Sequence, residues 1–203
     1  MKIICIGLNY KDHAEEMGRP LPAEPLVFLK PDSALLKNNK PFFMPPFSDN
    51  IHYEIEVVLR ISKLGKSVAE KYAHRYYDML TLGVDMTARD YQSSFSAAGM
   101  PWDISKSFDG AAPVGEFIPV SQAGNVDNIS FSLLKNGETV QRGNTSQLIF
   151  SFDSIISYIS RFFTLKTGDL IFTGTPSGVG PVKRNDRLTA YIGDRKVMDF
   201  LVK

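Results

Sequence analysis

The sequence predicts an α+β fold, rich in short strands and carrying a few short helices. Three observations predict it. Apolar–polar alternation recurs in short runs, an Asn-Gly pair stands between two such runs, and only a few segments have helical spacing. Strands interrupted by isolated helices, without strict βαβ alternation, belong to this class.

The elements follow in order. Residues 2–6 read as a short buried strand ended by Gly7. Asp12–Met17 reads as a short helix closed by Gly18 and Pro20. The proline-rich stretch from Pro22 to Pro46 is loop, broken by short strands such as Leu26–Leu29. Residues 51–61 form the clearest strand. Val68 to Leu82 is expected to be a helix with Ser67 as its N-cap, and Gly83-Val84-Asp85 follows at a strand end or turn. Residues 86–110 are polar and irregular. Ile129–Leu133 alternates and meets Asn136-Gly137, a type I′ hairpin signal. Ser154–Phe163 has amphipathic helical periodicity. Gly168-Asp169 turns into a strand, Leu170–Thr173, and a glycine-rich loop runs from Thr173 to Gly180. Asp186–Val202 reads as a hairpin about Gly193-Asp194.

The chain has 203 residues, 43% of them hydrophobic and 22% charged, with a net charge of +1. This length fits one domain with a sizeable core. So balanced a charge points neither to nucleic acid nor to an anionic membrane surface. No run approaches the ~20 apolar residues of a membrane span. The single cysteine, Cys5, reads as a small buried hydrophobe. One thiol and no signal-peptide pattern lead to the expectation of a cytoplasmic protein.

In Ile51-His52-Tyr53-Glu54-Ile55-Glu56-Val57, a period of two puts His52, Glu54 and Glu56 on one strand face. The two carboxylates stand about 7 Å apart along the strand. Their repulsion grows with burial, and a hard divalent cation between them reverses its sign. Oxygen ligands of this kind suit Mg²⁺, Mn²⁺ or Ca²⁺. A solvated strand face has the same alternation, so the pair alone leaves both readings open. Asp85, ending an apolar segment, is the candidate third ligand.

His13 and Glu16 stand three apart on the short helix. A His–carboxylate pair can orient a water and take its proton, although such pairs also occur on plain helix surfaces. The helix is short and bounded by glycines, which suits a lid. The Thr173–Gly180 loop lets backbone N–H groups approach an anion. It lacks both the P-loop order and the dinucleotide fingerprint. Arg89 could clamp a carboxylate, Gln92 could donate to an oxo group, and Lys106 could hold an enolate oxygen. Each is equally compatible with a structural ion pair or a surface charge.

The ordered set resembles the fumarylacetoacetate hydrolase family, in particular its short acylpyruvase and oxaloacetate-decarboxylase-like members. The matching pieces are Gly7-Leu8-Asn9-Tyr10 with His13 and Glu16, Phe28-Leu29-Lys30-Pro31, and His52-Tyr53-Glu54-Ile55-Glu56. Then come Asp85-Met86-Thr87-Ala88-Arg89-Asp90-Tyr91-Gln92, Pro101-Trp102 with Lys106 and Ser107, and Asn136-Gly137 with Gln141. Gly168-Asp169, Thr173-Gly174-Thr175-Pro176 and Gly178-Val179-Gly180 complete it.

The resemblance implies a mixed β-roll over residues 1–203 as a single catalytic domain, usually dimeric, with Mg²⁺ or Mn²⁺. It implies Glu54, Glu56 and Asp85 as metal ligands, and His13 and Glu16 as a water-activating dyad on a lid. It implies Arg89, Gln92, Lys106 and Thr175 as substrate-holding residues, with Lys30 lining the site. The expected activity is metal-dependent cleavage of small 2-oxo or 2,4-dioxo acids through a pyruvate enolate, with Lys106 stabilising its charge. Acylpyruvate hydrolysis and oxaloacetate decarboxylation are its main forms. The same enolate supports a 2-hydroxyhepta-2,4-diene-1,7-dioate isomerase or 5-oxopent-3-ene-1,2,5-tricarboxylate decarboxylase. Readings from other classes are a Ca²⁺-stabilised binding module and a nucleotide-binding protein using the 173–180 loop.

Overall fold

A computed structural model describes residues 1–203. Mixed sheets dominate it. The largest has six strands in the order Leu26–Lys30, Ile3–Gly7, Leu170–Phe172, Ile55–Ile61, Tyr77–Val84, Ile118–Pro119. Ile3–Gly7 and Leu170–Phe172 run parallel, and the other neighbours run antiparallel. A second, antiparallel sheet orders Glu138–Asn144, Ser130–Lys135, Arg187–Ile192 and Arg195–Leu201. It contains both expected hairpins. At the first turn Asn136 and Gly137 have φ of 55° and 88°, the sign that a type I′ turn requires at both central residues.

The central strands are buried on both faces. Ile55, Val57, Val58, Leu59 and Ile61 are inaccessible to solvent, as are Leu80, Leu82 and Val84 of the neighbouring strand. One continuous apolar cluster joins them to Phe131, Leu133, Leu188 and Ala190 of the second sheet and to Ile155, Ile156 and Ile159. Those three isoleucines form the inner face of the Phe152–Ser160 helix. Ser151 caps it, accepting from the Ser154 N–H at 3.2 Å.

Three expectations need correction. Val68–Leu82 is not a helix: a 3₁₀ segment, Glu70–Arg75, precedes the Tyr77–Val84 strand. Strand partners on both sides, Ile55–Ile61 and Ile118–Pro119, override the helical spacing of its apolar residues. Ser67 has φ of 50° and caps nothing. Residues 86–110 are not irregular: Arg89–Ala98 and Asp103–Lys106 are helices. The first buries no residue completely, and its apolar stripe is thin, resting on Tyr91 and Phe95.

The 51–61 strand is broken at Glu54. Ile51–Tyr53 leaves the large sheet to pair with Gly180–Pro181 and Thr87–Ala88. At the break the Ile55 N–H donates to Gln141 Oε1 at 2.9 Å instead of to a ladder carbonyl. That break turns the acidic pair toward the ends of the neighbouring strands. No helix is long and apolar enough to cross a membrane.

Candidate metal centre and active site

A cleft opens where the first strand, the broken acidic strand and the Tyr77–Val84 strand all end. Glu54, Glu56 and Asp85 lie at its base. Their exposures are 5%, 2% and 1%, which excludes a solvated strand face. One carboxylate oxygen from each lies within 4.8 Å of the others. The Asp85 N–H donates to the Glu54 carbonyl at 2.8 Å, fixing the third acid against the first.

Three cations surround these acids. Lys106 Nζ donates at 2.7 Å to each of Glu54 Oε2, Asp85 Oδ2 and Thr87 Oγ1. Arg89 pairs with Glu54 through Nη2 and with Gln92 Oε1 through Nη1. Lys30 Nζ lies 2.8 Å from Asp85 Oδ1 and donates to the Lys106 carbonyl. No donor points along a hydrogen bond at Asp85 Oδ1, despite that close charge. This oxygen therefore keeps a free lone pair.

Burial acts against ionisation of Glu54, yet the Lys106 and Arg89 charges hold its carboxyl far below the usual range. Glu56 goes the other way. Burial, and then the Asp85 charge, push it well up, against a hydrogen bond from the Gly174 N–H at 2.7 Å. Burial opposes the Lys106 charge too, but Asp85 and Glu54 keep its ammonium above the ordinary value. A site with a free carboxylate lone pair and a strained buried acid, and with only hard oxygen donors, fits a divalent cation of the Mg²⁺ or Mn²⁺ type.

A short helix after the first strand carries the dyad. Lys11–Glu16 is a helix, and His13 Nδ1 lies 3.1 Å from Glu16 Oε2. Glu16 Oε1 accepts from the Gly178 N–H at 3.0 Å, so the glycine-rich loop holds the carboxylate while the carboxylate holds the ring. His13 is buried and lines the cleft; Glu16 stands at the exposed rim. With Nδ1 committed, Nε2 is the ring atom left to exchange a proton.

The expected substrate residues fall into two groups. Arg89, Gln92, Lys106 and Thr175 line the cleft. Lys30 does not. It is buried behind Asp85, so the expectation that it lines the site is corrected: its place is to position Asp85 and Lys106.

Several residues of the site are read from the sequence only as parts of matching motifs, with no role assigned. Gln141 donates to Thr175 Oγ1 at 3.0 Å and to the Pro176 carbonyl at 2.9 Å while accepting from Ile55. It couples the glycine-rich loop to the strand break. Its burial, at 2% exposure, appears only in the folded chain. Asn9 is fully buried and bonds the Phe150 N–H and the Phe150 and Thr173 carbonyls. Leu8, beside it, lines the cleft with φ of 55°, a conformation costly for a branched side chain. The 173–180 loop shows why its first glycine is needed: Gly174 has φ of 104°, and a Cβ there would sit 2.6 Å from Asn9 Cβ.

The fumarylacetoacetate (FAA) hydrolase C-terminal family model matches residues 2–201. The chain is 42% identical over 201 residues to oxaloacetate tautomerase FAHD1, mitochondrial, of Bos taurus, covering 99% of this chain and 91% of that protein. It is 44% identical over 183 residues to the mitochondrial oxaloacetate decarboxylase of Dictyostelium discoideum, covering 90% and 84%. The crystal structure of fumarylpyruvate hydrolase from Pseudomonas aeruginosa, in complex with Mn²⁺ and pyruvate, superposes with a TM-score of 0.94 at 39% identity, covering 100% of this chain and 89% of that one. The expectation of a cytoplasmic location is overturned by these relatives, several of which are named as mitochondrial. A single cysteine reports redox conditions and does not distinguish one reducing compartment from another.

Proposed function

The chain belongs to the fumarylacetoacetate hydrolase family, and from that premise we propose that it is a divalent-metal-dependent enzyme that processes small 2-oxo acids through a pyruvate enolate. The reactions are hydrolysis of acylpyruvates, decarboxylation of oxaloacetate, or both. The observation that carries this reading is that one cleft holds a buried three-carboxylate cluster together with Lys106, Arg89 and a His–Glu dyad.

Glu54, Glu56 and Asp85 would hold Mg²⁺ or Mn²⁺. When bound, the cation supplies Lewis acidity at the 2-oxo group and charge to match an enolate. Everything else is done by the chain. Arg89 and Gln92 fix the substrate carboxylate and oxo group, and Thr175 borders them from the glycine-rich loop. Lys106 faces the developing enolate charge. In hydrolysis, His13 Nε2 takes a proton from water, and the hydroxide attacks the distal carbonyl. The C3–C4 bond breaks with its electron pair going to the enolate. The imidazolium returns the proton to C3, giving pyruvate and a carboxylic acid. In decarboxylation carbon dioxide leaves with no water consumed, and only the final protonation needs His13.

A second reading is keto–enol tautomerisation of oxaloacetate, favoured by the relatives named oxaloacetate tautomerase at 42% identity. His13 then carries one proton between C3 and the 2-oxo oxygen, and no carbon–carbon bond breaks. Residues 1–203 act as one catalytic unit in either case, and the unit is a homodimer, which sedimentation analysis tests.

The deciding experiment assays acetylpyruvate and oxaloacetate with Mg²⁺ or Mn²⁺, following pyruvate, carbon dioxide and the oxaloacetate enol separately. Pyruvate from either substrate supports the first reading. Loss of the enol without carbon dioxide supports the second. Metal-independent turnover, or none of the three, contradicts both.

A further inference from the structure

Two of the three nitrogens of the Arg89 guanidinium are committed within the cleft. Nη2 pairs with Glu54, and Nη1 donates to Gln92 Oε1. The third, Nε, is buried and has no partner. Leaving a buried charged donor unmade is costly, so an acceptor is expected beside it.

Strand register places one there. In the Ile51–Tyr53 strand, Ile51 stands opposite Ala88 and His52 opposite Thr87. The Arg89 N–H continues this ladder, donating to the Asn50 carbonyl at 2.9 Å. Asn50 is therefore directly across from Arg89. His52 is its diagonal neighbour, about 7–8 Å away at Cα and within reach of a long side chain. Opposed residues of a ladder share a face, so His52 points the same way as Thr87, whose Oγ1 meets Lys106 Nζ at the acid cluster. Two residues along the same face stands Glu54, the ion-pair partner of Arg89.

The His52 ring has the chemistry of that acceptor. Nε2 lies 2.9 Å from Asn50 Oδ1, an atom that only accepts, so Nε2 carries the hydrogen. Nδ1 of the neutral ring then presents a lone pair, and it too is buried without a partner. Burial first and the Arg89 charge second bring the ring's pKa down to about 4; Glu54 and Glu16 oppose them, and Lys135 adds to them. One orphan donor and one orphan acceptor thus occupy diagonal positions on one face, beside the metal ligands.

We infer that His52 is a positioning residue for Arg89: its Nδ1 accepts from the Arg89 Nε–H, directly or through one water, and fixes the plane of the guanidinium. With the plane fixed, the terminal N–H groups not used by Glu54 and Gln92 face the substrate carboxylate. Asn50 sets the tautomer of the ring and touches no substrate. This rests on the reading of Arg89 as the clamp for that carboxylate. A rotated guanidinium loses its directed hydrogen bonds to the carboxylate. The loss falls on KM, because this carboxylate keeps its charge through the reaction.

The test measures turnover of acetylpyruvate and oxaloacetate with Mn²⁺, and pyruvate binding to the Mn²⁺-loaded protein by calorimetry, in the full chain. His52→Asn keeps an acceptor oxygen near the place of Nδ1, His52→Gln keeps a polar atom near the place of Nε2, and His52→Leu keeps neither. KM and the pyruvate Kd are expected to rise about tenfold or more in His52→Leu and His52→Gln, with kcat changed less than about threefold, and to return to within about threefold of wild type in His52→Asn. Recovery by His52→Gln and not by His52→Asn would show that the ring serves Asn50 alone, and overturns the inference. Unchanged KM in all three variants, equal losses in all three, or a fall confined to kcat overturns it as well. The comparison of His52→Asn with His52→Gln decides the matter even where His52→Leu fails to fold. Wild-type protein that neither turns over these acids nor binds pyruvate overturns the reading of the site, and the inference with it.

Discussion

At the scale of single residues, the behaviour of the site turns on a conflict between Glu56 and Asp85. Both are buried beside Glu54, and only Glu54 and Asp85 have ammonium partners. The Glu56 carboxyl is raised by burial and by Asp85, so the metal-free folded state binds a proton that the unfolded chain releases near pH 4.3. The sign follows: stability from this proton is complete below the unfolded value and is lost as pH rises through the raised folded value. Metal-free protein should therefore melt lower as pH rises from 5 toward neutrality and above, and saturating Mn²⁺ should flatten that slope. Glu56→Gln should flatten it as well, while losing the Mn²⁺-dependent upshift; melting curves across pH check both.

His13 and Glu16 make a different residue-scale prediction. His13→Ala should lower acylpyruvate hydrolysis by about 10²–10⁴-fold, the usual worth of a general base. Oxaloacetate decarboxylation should fall much less, because no water is activated. Equal losses in parallel assays of the two reactions would remove the water-activating role. These residues were legible in the sequence because their spacing survives folding: Glu54 and Glu56 stayed on one face, and His13 and Glu16 stayed three apart on a helix. Lys30 was legible as a site residue but not as a buried one, since burial behind Asp85 depends on strands that meet only in the folded chain.

At the scale of elements, the break in the acidic strand is the structural event that makes the site. A continuous 51–61 strand would keep its ladder hydrogen bonds, and Ile55 gives one up to the Gln141 side chain. Gln141 also carries Thr175 and the loop above it. Gln141→Leu should leave Ile55 N–H and Thr175 without partners, costing about 1–3 kcal/mol, and should weaken Mn²⁺ binding through the displaced Glu54. Titration calorimetry separates the two effects. Gly174→Ala should be harsher on folding, because φ of 104° and the Asn9 contact both oppose a Cβ; low soluble yield or a marked loss of Tm is the expected result. Neither the break nor the Arg89–Ala98 helix was legible. A break made by a side chain from residue 141 has no local signature, and a helix with only Tyr91 and Phe95 as large apolar residues, neither fully buried, gives a thin stripe. The Tyr77–Val84 strand was misread for the opposite reason: its spacing suited a helix, and two strand neighbours decided otherwise.

At the scale of the whole molecule, the two sheets share one apolar core and the active cleft sits at the ends of the large sheet's strands. The β-rich α+β class and both hairpins were legible, since alternation and turn chemistry are local. The strand order was not, because parallel pairing of Ile3–Gly7 with Leu170–Phe172 joins residues more than 160 positions apart. This long-range closure gives metal binding a global effect. The three candidate ligands sit at the strand break (Glu54), in the Ile55–Ile61 strand (Glu56) and just beyond the Tyr77–Val84 strand (Asp85), so a cation that binds only the folded site would stabilise all of it, by about 2.7 kcal/mol at a hundredfold excess over Kd. The most direct measurement is therefore turnover of an acylpyruvate or of oxaloacetate by wild type and Glu54→Gln, stripped with chelator and then resupplied with Mn²⁺. Wild-type activity should vanish on stripping and return with Mn²⁺ together with a higher Tm, while Glu54→Gln stays folded and inactive throughout. Full activity of Glu54→Gln in the presence of chelator would contradict a metal-centred site.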